Sequence, residues 1–466
     1  MNDDLPPGWS STILKNLVVS RKGKKPAVLR EYSGDGFLPY LDIRAIEKKE
    51  VRQFADVKSS NLASRNDLLV VWDGARSGWV GTGVSGAIGS TIMALTAREA
   101  NPIYLKTFIS SKFSTINTNT KGTGIPHVDP EIFWNIEVPI APLPEQRRIV
   151  AKLEKLLDKV DTCQKRLAKI PILLKRFRQS VLAAACSGRL TADWRQDGVS
   201  ENDLPNGWKY VKVHEIFPTG GIFDGPFGSN LKSSDYTDSG VRVIRLENIG
   251  HLRFIDEKVT YIGEHKYETL KRHSVGKGDI IFSSFIGDEI RACILPKLST
   301  PAIAKADCFC LRPKPELVNR QFLIFQLVTR DSFDWLFENI HGATRPRINT
   351  TQLKKLEIKI CPIPEQQEIV NRVQTLFEIA DQIESRYSKV KAQVDKLTQS
   401  ILAKAFRGEL APQNPNDEPA GMLLERIRAM HSQDGAGQAA NGRNKAPAGA
   451  TPRRRPKPRR KRVARS

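Results

Sequence analysis

Two stretches of this chain carry an apolar or nearly apolar side chain at every third or fourth position for more than four heptads. The first runs through Ile149, Leu153, Leu156, Val160, Cys163, Leu167, Ile170, Leu174, Phe177 and Val181. The second runs through Ile369, Val373, Leu376, Ala380, Ile383, Tyr387, Val390, Val394, Leu397 and Ile401, at a constant offset of 220. Alternating steps of four and three, with charged residues between, predict two long helices that bury a narrow stripe against each other as a coiled coil. Ordinary surface helices on two separate cores are the competing expectation. Pro171 interrupts the first seam, where it removes a backbone hydrogen bond and crowds the carbonyl of Leu167, whereas its counterpart is Lys391. The first helix is therefore expected to kink there or to be broken by a short turn.

Outside the seams the apolar residues fall in short runs separated by Gly, Asn, Asp and Ser, the pattern of strands and turns. These runs are written twice. DLPPGW at 4–9 returns as DLPNGW at 203–208, PLPEQRRIV at 142–150 as PIPEQQEIV at 362–370, and QSVLAAACSGRL at 179–190 as QSILAKAFRGEL at 399–410. Between these landmarks LDIRAI at 41–46 faces IRLENI at 244–249, NDLLV at 66–70 faces GDIIF at 278–282, and TGIPHV at 123–128 faces TRPRIN beginning at Thr344. The chain thus reads as an α/β tandem duplication: two mixed α/β domains separated by two long helices, which form an antiparallel coiled coil and place the domains at its opposite ends. The expected divisions are a first α/β domain over 1–141, a first helical region over 142–190, and a linker with the start of the repeat over 191–208. A second α/β domain over 209–361 and a second helical region over 362–410 follow. A linker with a short amphipathic helix (Leu423, Leu424, Ile427, Met430) takes 411–432, and a tail without folding content takes 433–466.

Charge changes the picture in one respect. The formal charge is +22, yet eleven basic residues and no acidic one lie between Arg443 and Ser466, which leaves +11 for the remainder. A polyanion, nucleic acid above all, is the expected partner of the folded part, and the tail is expected to add sequence-blind phosphate affinity. No apolar run is long enough to cross a membrane, and MNDDLPPGW lacks the apolar core of a secretory signal, which points to the cytoplasm. Cys163, Cys186, Cys293, Cys308, Cys310 and Cys361 show no metal-ligand spacing, and Cys308 and Cys310 are expected as buried thiols on one face of a strand.

Catalytic chemistry is hard to find. Gly81-Thr82-Gly83-Val84-Ser85-Gly86 matches G-x-G-x-x-G but leads into GSTIMAL, which reads as a strand, so a glycine-rich hairpin connection is expected rather than a cofactor loop. There is no G-x-x-x-x-G-K-[ST], no H-E-x-x-H, no D-x-x-x-E-x-K and no N-P-P-[YF]. What recurs is loops that mix Gly, Arg, Lys, Ser, Asn and aromatics. WDGARSGW offers Arg76, Ser77 and Trp79, and NTNTKGTGIPH offers Lys121, Thr123 and His127. DGPFGSNLKSS offers Ser229, Asn230 and Lys232, SFIGDEIR offers Arg291, and HGATRPRIN offers Arg345, Arg347 and Asn349; Arg44 and Arg245 come from the paired strand ends. Arg reads guanine through two hydrogen bonds and Asn reads adenine, while Lys, Ser and Thr hold phosphates. These are the candidate DNA-binding residues.

The duplicated halves, the L-P-x-G-W opening, the motif I-P-x-P-x-x-E-Q-x-x-I-V entering a long helix, and the runs ILLKRFRQSVL and LTQSILAKAFRGEL resemble the DNA-specificity subunit of type I restriction-modification systems, in its type IA class. The likeness extends to about Arg428. It implies that each half reads one part of a bipartite double-stranded target and that the helices hold the halves apart and dock two methyltransferase subunits. It implies too that up to two restriction/translocase subunits join the complex. S-adenosylmethionine, ATP and Mg2+ would be used by those partners, which methylate adenine at N6 or cut, while this chain would bind no cofactor, catalyse nothing and need no membrane. A shared role for Arg245 is put in doubt by Asp42, its counterpart in the first half. The segment from Pro419 to Met430 is expected to dock a partner. A self-sufficient methyltransferase or nuclease, or a coiled-coil adaptor that reads no DNA, remain the alternatives.

Overall fold

A computed structural model describes residues 5–122, 124–195, 204–340 and 346–442. In the first half the strands are β1 (Ser10–Ile13), β2 (Val18–Lys22), β3 (Leu29–Arg30), β4 (Phe37–Leu41), β5 (Phe54–Asp56), β6 (Leu62–Ala63), β7 (Leu68–Val71), β8 (Val80–Gly81), β9 (Gly86–Ile88), β10 (Ile92–Ala97) and β11 (Glu137–Ile140). In the second half they are β12 (Lys209–Lys212), β13 (Ile222–Phe223), β14 (Tyr236–Thr237), β15 (Val241–Ile244), β16 (Tyr261–Ile262), β17 (Ser274–Val275), β18 (Ile280–Ser283), β19 (Ala292–Ile294), β20 (Ala302–Ala304), β21 (Cys308–Leu311) and β22 (Glu357–Ile360).

The duplication is complete at the level of topology. Each half has a two-stranded ladder (β1-β11; β12-β22), a four-stranded sheet (β2-β10-β7-β8; β13-β21-β18-β19) and a five-stranded sheet (β3-β5-β4-β9-β6; β14-β16-β15-β20-β17). Adding eleven to every strand number of the first half gives the second. Even the parallel pairing recurs, β4 with β9 and β15 with β20.

The central strands explain the unbroken apolar runs. Along β7, Leu68 and Val70 enter one core while Leu69 and Val71 enter another, because successive side chains leave a strand on opposite faces. Along β21, Phe309 and Leu311 face one core and Cys308 and Cys310 the other, as buried free thiols. Burial pushes both thiols well above their ordinary range.

The helices divide differently from the sequence-based boundaries at 141 and 361. The chain forms two compact units, one from residues 1–164 with 392–466 and one from 165–391. The first helical region is two helices, Leu143–Leu167 and Ile170–Cys186, parted at Pro171, which sits in the first turn of the second helix where its missing N–H costs nothing. The second region is one unbroken helix, Ile363–Phe406.

In the first unit Ile149 and Leu153 share a core with Leu402 and Ala405. In the second unit Val181, Leu182, Ala185 and Cys186 share a core with Ile369, Val370 and Val373, and Arg178 reaches Asp381 at 2.6 Å and Glu384 at 2.8 Å. Later residues of one helix meet earlier residues of the other, so within this unit the two run antiparallel. Each α/β domain is thus completed by the end of the helical region that follows the other one.

Helix Ala420–Gly442 runs twelve residues beyond Met430, the expected end of the short helix, and so into the segment expected as a tail. Ala420, Leu423, Leu424 and Ile427 are buried in the first unit's own core, so most of the expected apolar face is occupied inside the chain, while Met430 stays exposed. The Gly81–Gly86 segment is corrected too. It joins β8 to β9, which lie in different sheets, so it is a crossover and not a hairpin. Gly86 is required there because a Cβ would meet the carbonyl oxygen of Pro39 at 2.1 Å.

The repeated landmarks have a shared structural purpose. The indole Nε1 of Trp9 donates to Glu145 at 3.1 Å, and that of Trp208 to Glu365 at 3.1 Å. Gln146 accepts from the Asn101 backbone N–H and donates to the Ala141 carbonyl, and Gln366 does the same with Asn319 and Cys361. The Trp and the Glu-Gln pair therefore tie the start of each repeat, the end of its ladder and the next helix into one buried polar knot.

Candidate nucleic-acid interface

In the first unit three loops converge. Asp42 caps helix Ile43–Lys48 through the Ala45 N–H at 2.7 Å and puts Arg44 in solvent beside a shallow cavity of about 380 Å³ lined by Arg44, Glu47, Lys48 and Thr91. The loop after β7 carries Arg76, which pairs with Glu47 and lies over the Trp79 ring. The third loop returns past Lys121 to His127, whose Nδ1 is 2.8 Å from Asp73 Oδ1; Lys22 takes the other oxygen at 2.8 Å. Burial pushes the Asp73 carboxyl up, but the hydrogen bonds from Lys22 and His127 prevail and hold it below its ordinary value.

In the second unit β15 ends at Ile244, the equivalent of Leu41, so Arg245 stands where Asp42 does. The turn is closed from its other end: Asn248 Oδ1 accepts from the Arg245 N–H at 3.0 Å. Relieved of capping, position 245 carries a guanidinium, which pairs with Glu247 at 3.2 Å and lies over the Tyr236 ring, where Lys305 also donates to the Tyr236 hydroxyl at 2.6 Å. Asp307 joins Ser284 at 3.0 Å to Arg347 at 3.4 Å. Asn230 and Lys232 are exposed on their loop.

Not every candidate faces outward. Ser77 is fully buried and its hydroxyl is within hydrogen-bond distance of the carbonyls of Trp72, Gly74 and Pro126, so it is corrected to a tie between loops. Arg291 donates to the Leu246 and Ile249 carbonyls and to Ser283 and so belongs to the scaffold, whereas Asn349 caps helix Thr350–Lys355 through the Gln352 N–H at 2.9 Å with its side chain still exposed. Lys121 is exposed but paired with Asp129 at 3.1 Å and Glu131 at 3.7 Å. Thr123 and Arg345, and the tail from Arg443, lie outside the described residues, and for Ser229 only the backbone is described.

Sequence reasoning missed Lys22, Asp73, Tyr236 and Lys305. The run RKGKKP at 21–26, with Lys24 and Lys25 exposed, was a visible signal for the first of these. The others depend on tertiary partners. The facing of TGIPHV on TRPRIN also shifts by one residue. Val128 N–H binds the Trp72 carbonyl and Ile348 N–H the Ser284 carbonyl, so His127 matches Arg347 and the helix caps Asp129 and Asn349 match each other.

Among the described residues no group of three or more His, Cys, Asp or Glu side chains is arranged to hold a metal ion, and no helix is long and apolar enough to cross a membrane. The interface offers exposed guanidiniums, ammoniums and an imidazole, several of them braced by carboxylates. That is equipment for binding an anion with directional hydrogen bonds.

Known proteins share the duplication and the fold. The profile of the type I restriction modification DNA specificity domain matches twice, over residues 6–171 and 205–392. Both matches end close to where the chain passes from one unit to the other. The EcoBI specificity subunit of Escherichia coli is 32% identical over 80% of this chain and 81% of its own length, and the MjaVIII specificity subunit of Methanocaldococcus jannaschii is 26% identical over 88% and 95%. The crystal structure of the HsdS subunit from Thermoanaerobacter tengcongensis superposes with a TM-score of 0.56 at 20% identity, covering 87% of this chain and 98% of that one. A chain from work on complex assembly and conformational transition of the type I R-M system gives 0.64 at 21%, covering 87% and 99%.

Proposed function

This chain belongs to the type I restriction-modification DNA specificity family, and from that premise we propose that it is the non-catalytic, sequence-reading subunit of a methylating and restricting complex. Each unit reads one half of a bipartite double-stranded target. Two methyltransferase subunits and up to two restriction/translocase subunits supply the chemistry, and S-adenosylmethionine, ATP and Mg2+ are theirs to bind. Within the chain, Arg44, Arg76 and His127 with Lys22 face the target from the first unit, and Arg245, Arg347, Asn230 and Lys232 with Lys305 from the second. The basic tail adds phosphate affinity without choosing bases.

One observation carries the reading. The same eleven-strand unit occurs twice, its buried knot kept in both copies, while the exposed loop residues differ between them. A duplicated scaffold with unlike loops is what two different half-sites require.

The test is a replacement of residues 10–130 by the matching region of a relative, followed by mapping of methylated sites in cells that also carry the partner subunits. One half of the target is expected to change and the other to persist. A target altered in both halves, or in neither, would refute the assignment of one unit to each half-site.

A further inference from the structure

We infer that His127 and Arg347 are base-reading side chains at one and the same point of the two units, and that the exchange of His for Arg there helps give the two half-sites different sequences. This rests on the DNA reading proposed above and adds to it the residue that discriminates.

The duplication supplies the argument. Around this point the scaffold is kept: the following residue binds a carbonyl beyond the central strand in both copies (Val128 to Trp72, Ile348 to Ser284), and the next one caps a helix in both (Asp129, Asn349). Between neighbours that keep their structural roles, the exposed side chain at this point changes from His to Arg. His127 pairs with the loop after β7 as an isolated bridge to Asp73, and Arg347 does so with Phe285, so both backbones are held at the same rim.

Each side chain is braced by a carboxylate, but by a different one. Asp73, just past β7, holds His127 Nδ1. Asp307, just before β21, holds Arg347 Nη1 and is itself steadied by Ser284. Asp307 adopts φ +70, an unfavourable conformation for a residue with a Cβ, and strain of this kind collects where geometry serves function.

The two side chains differ in what they can recognise. In the tautomer whose Nδ1 donates to Asp73, the His127 ring would offer Nε2 as an acceptor suited to the exocyclic amine of adenine or cytosine. Arg347 engages Asp307 through one nitrogen and keeps further N–H donors, the fork that matches O6 and N7 of guanine. Both are close to half exposed, as a reader must be.

The experiment uses the assembled complex with its methyltransferase partner, mapping methylation and measuring binding to duplexes varied at each target position. Arg347→Ala should reduce discrimination at one base pair of the second half-site by about ten- to a hundredfold and leave the first half-site untouched. Arg347→Lys, which keeps the charge without the fork, should lose the same discrimination with a smaller loss of overall affinity. His127→Arg, with Asp73 still beside it, should move the preference toward guanine at one position of the first half-site. Thermal unfolding of the variants should match the parent, since both side chains are exposed. Equal weakening on all sequences would assign these residues to phosphates and overturn the inference, as would folded variants with an unchanged target. A wild-type complex without any bipartite preference would sink the underlying DNA reading, a result that needs no variant to see.

Discussion

At the residue scale the two copies of the buried knot are unequal. Glu365 accepts from Trp208, from Thr191 at 2.7 Å and from Arg195, whose side chain is almost fully buried. Glu145 accepts from Trp9, and its Oε1 is buried with no hydrogen-bond partner among the described residues. Glu365→Gln should therefore cost about 2 kcal/mol, because it removes the negative charge from the buried hydrogen bonds that Glu365 accepts from Arg195, Thr191 and Trp208, whereas Glu145→Gln should cost less than about 1 kcal/mol. Chemical denaturation of the two variants checks this, and equal losses would show that the arginine contributes nothing. A second asymmetry is Asp224, at the end of β13, pushed up to about 6 by burial and by repulsion from Asp307. A carboxyl whose folded pKa is raised contributes stability that is fully present below its unfolded value, about 4, and is lost as pH rises through about 6. Asp224→Asn, which keeps an oxygen for the Gly225 N–H, should thus stabilise the chain by about 1 kcal/mol at pH 8 after allowing for partial exposure, with the gain vanishing below about pH 4. Melting curves across that range decide it; a gain that persists in acid would point to another cause.

At the scale of elements, the helix ends do as much as the helix seams. Helix Ile363–Phe406 stops at Gly408, which takes φ +76 and packs against the opening of the first repeat. A Cβ there would meet Pro6 Cγ at 2.4 Å and Trp9 Cζ2 at 3.3 Å. Gly408→Ala should cost about 2 kcal/mol, combining left-handed strain with displacement of Trp9 from its knot, and an unchanged unfolding midpoint would show that the turn can reorganise freely. Phe406, two residues earlier, packs edge-on against Tyr104 and Phe108 at 5.3 and 5.0 Å. That contact, the ion pair of Arg148 with Asp417 at 2.6 Å and the buried face of helix Ala420–Gly442 fasten the late residues of the chain onto its first domain.

At the scale of the whole molecule, the chain divides its labour between two like units and is expected to leave the chemistry to others. The purified chain alone should transfer no methyl group to DNA and should do so only with its partner, because the sequence carries no phosphate loop or amino-methylating motif and the described residues gather no metal cluster. Methyl transfer by the isolated chain, freed of host enzymes, would restore the self-sufficient enzyme as the better account.

The sequence by itself determined the duplication, the strand-rich halves, the two long helices and the break at Pro171. Each of these rests on local periodicity or on self-similarity, which need no knowledge of distant partners. It also singled out loops whose polar residues are partly exposed, but within them it could not tell exposed Arg76 and Arg347 from Ser77 and Arg291, which the scaffold takes up. That choice was made by carbonyls and amides delivered from elsewhere in the chain, Pro126 to Ser77 and Leu246 to Arg291. The same holds for the exchange of helix ends between the units. A heptad seam says that a stripe will be buried, but which core buries Leu402 or Val181 was decided by the tertiary structure, because apolar burial is non-directional and carries no address in the sequence.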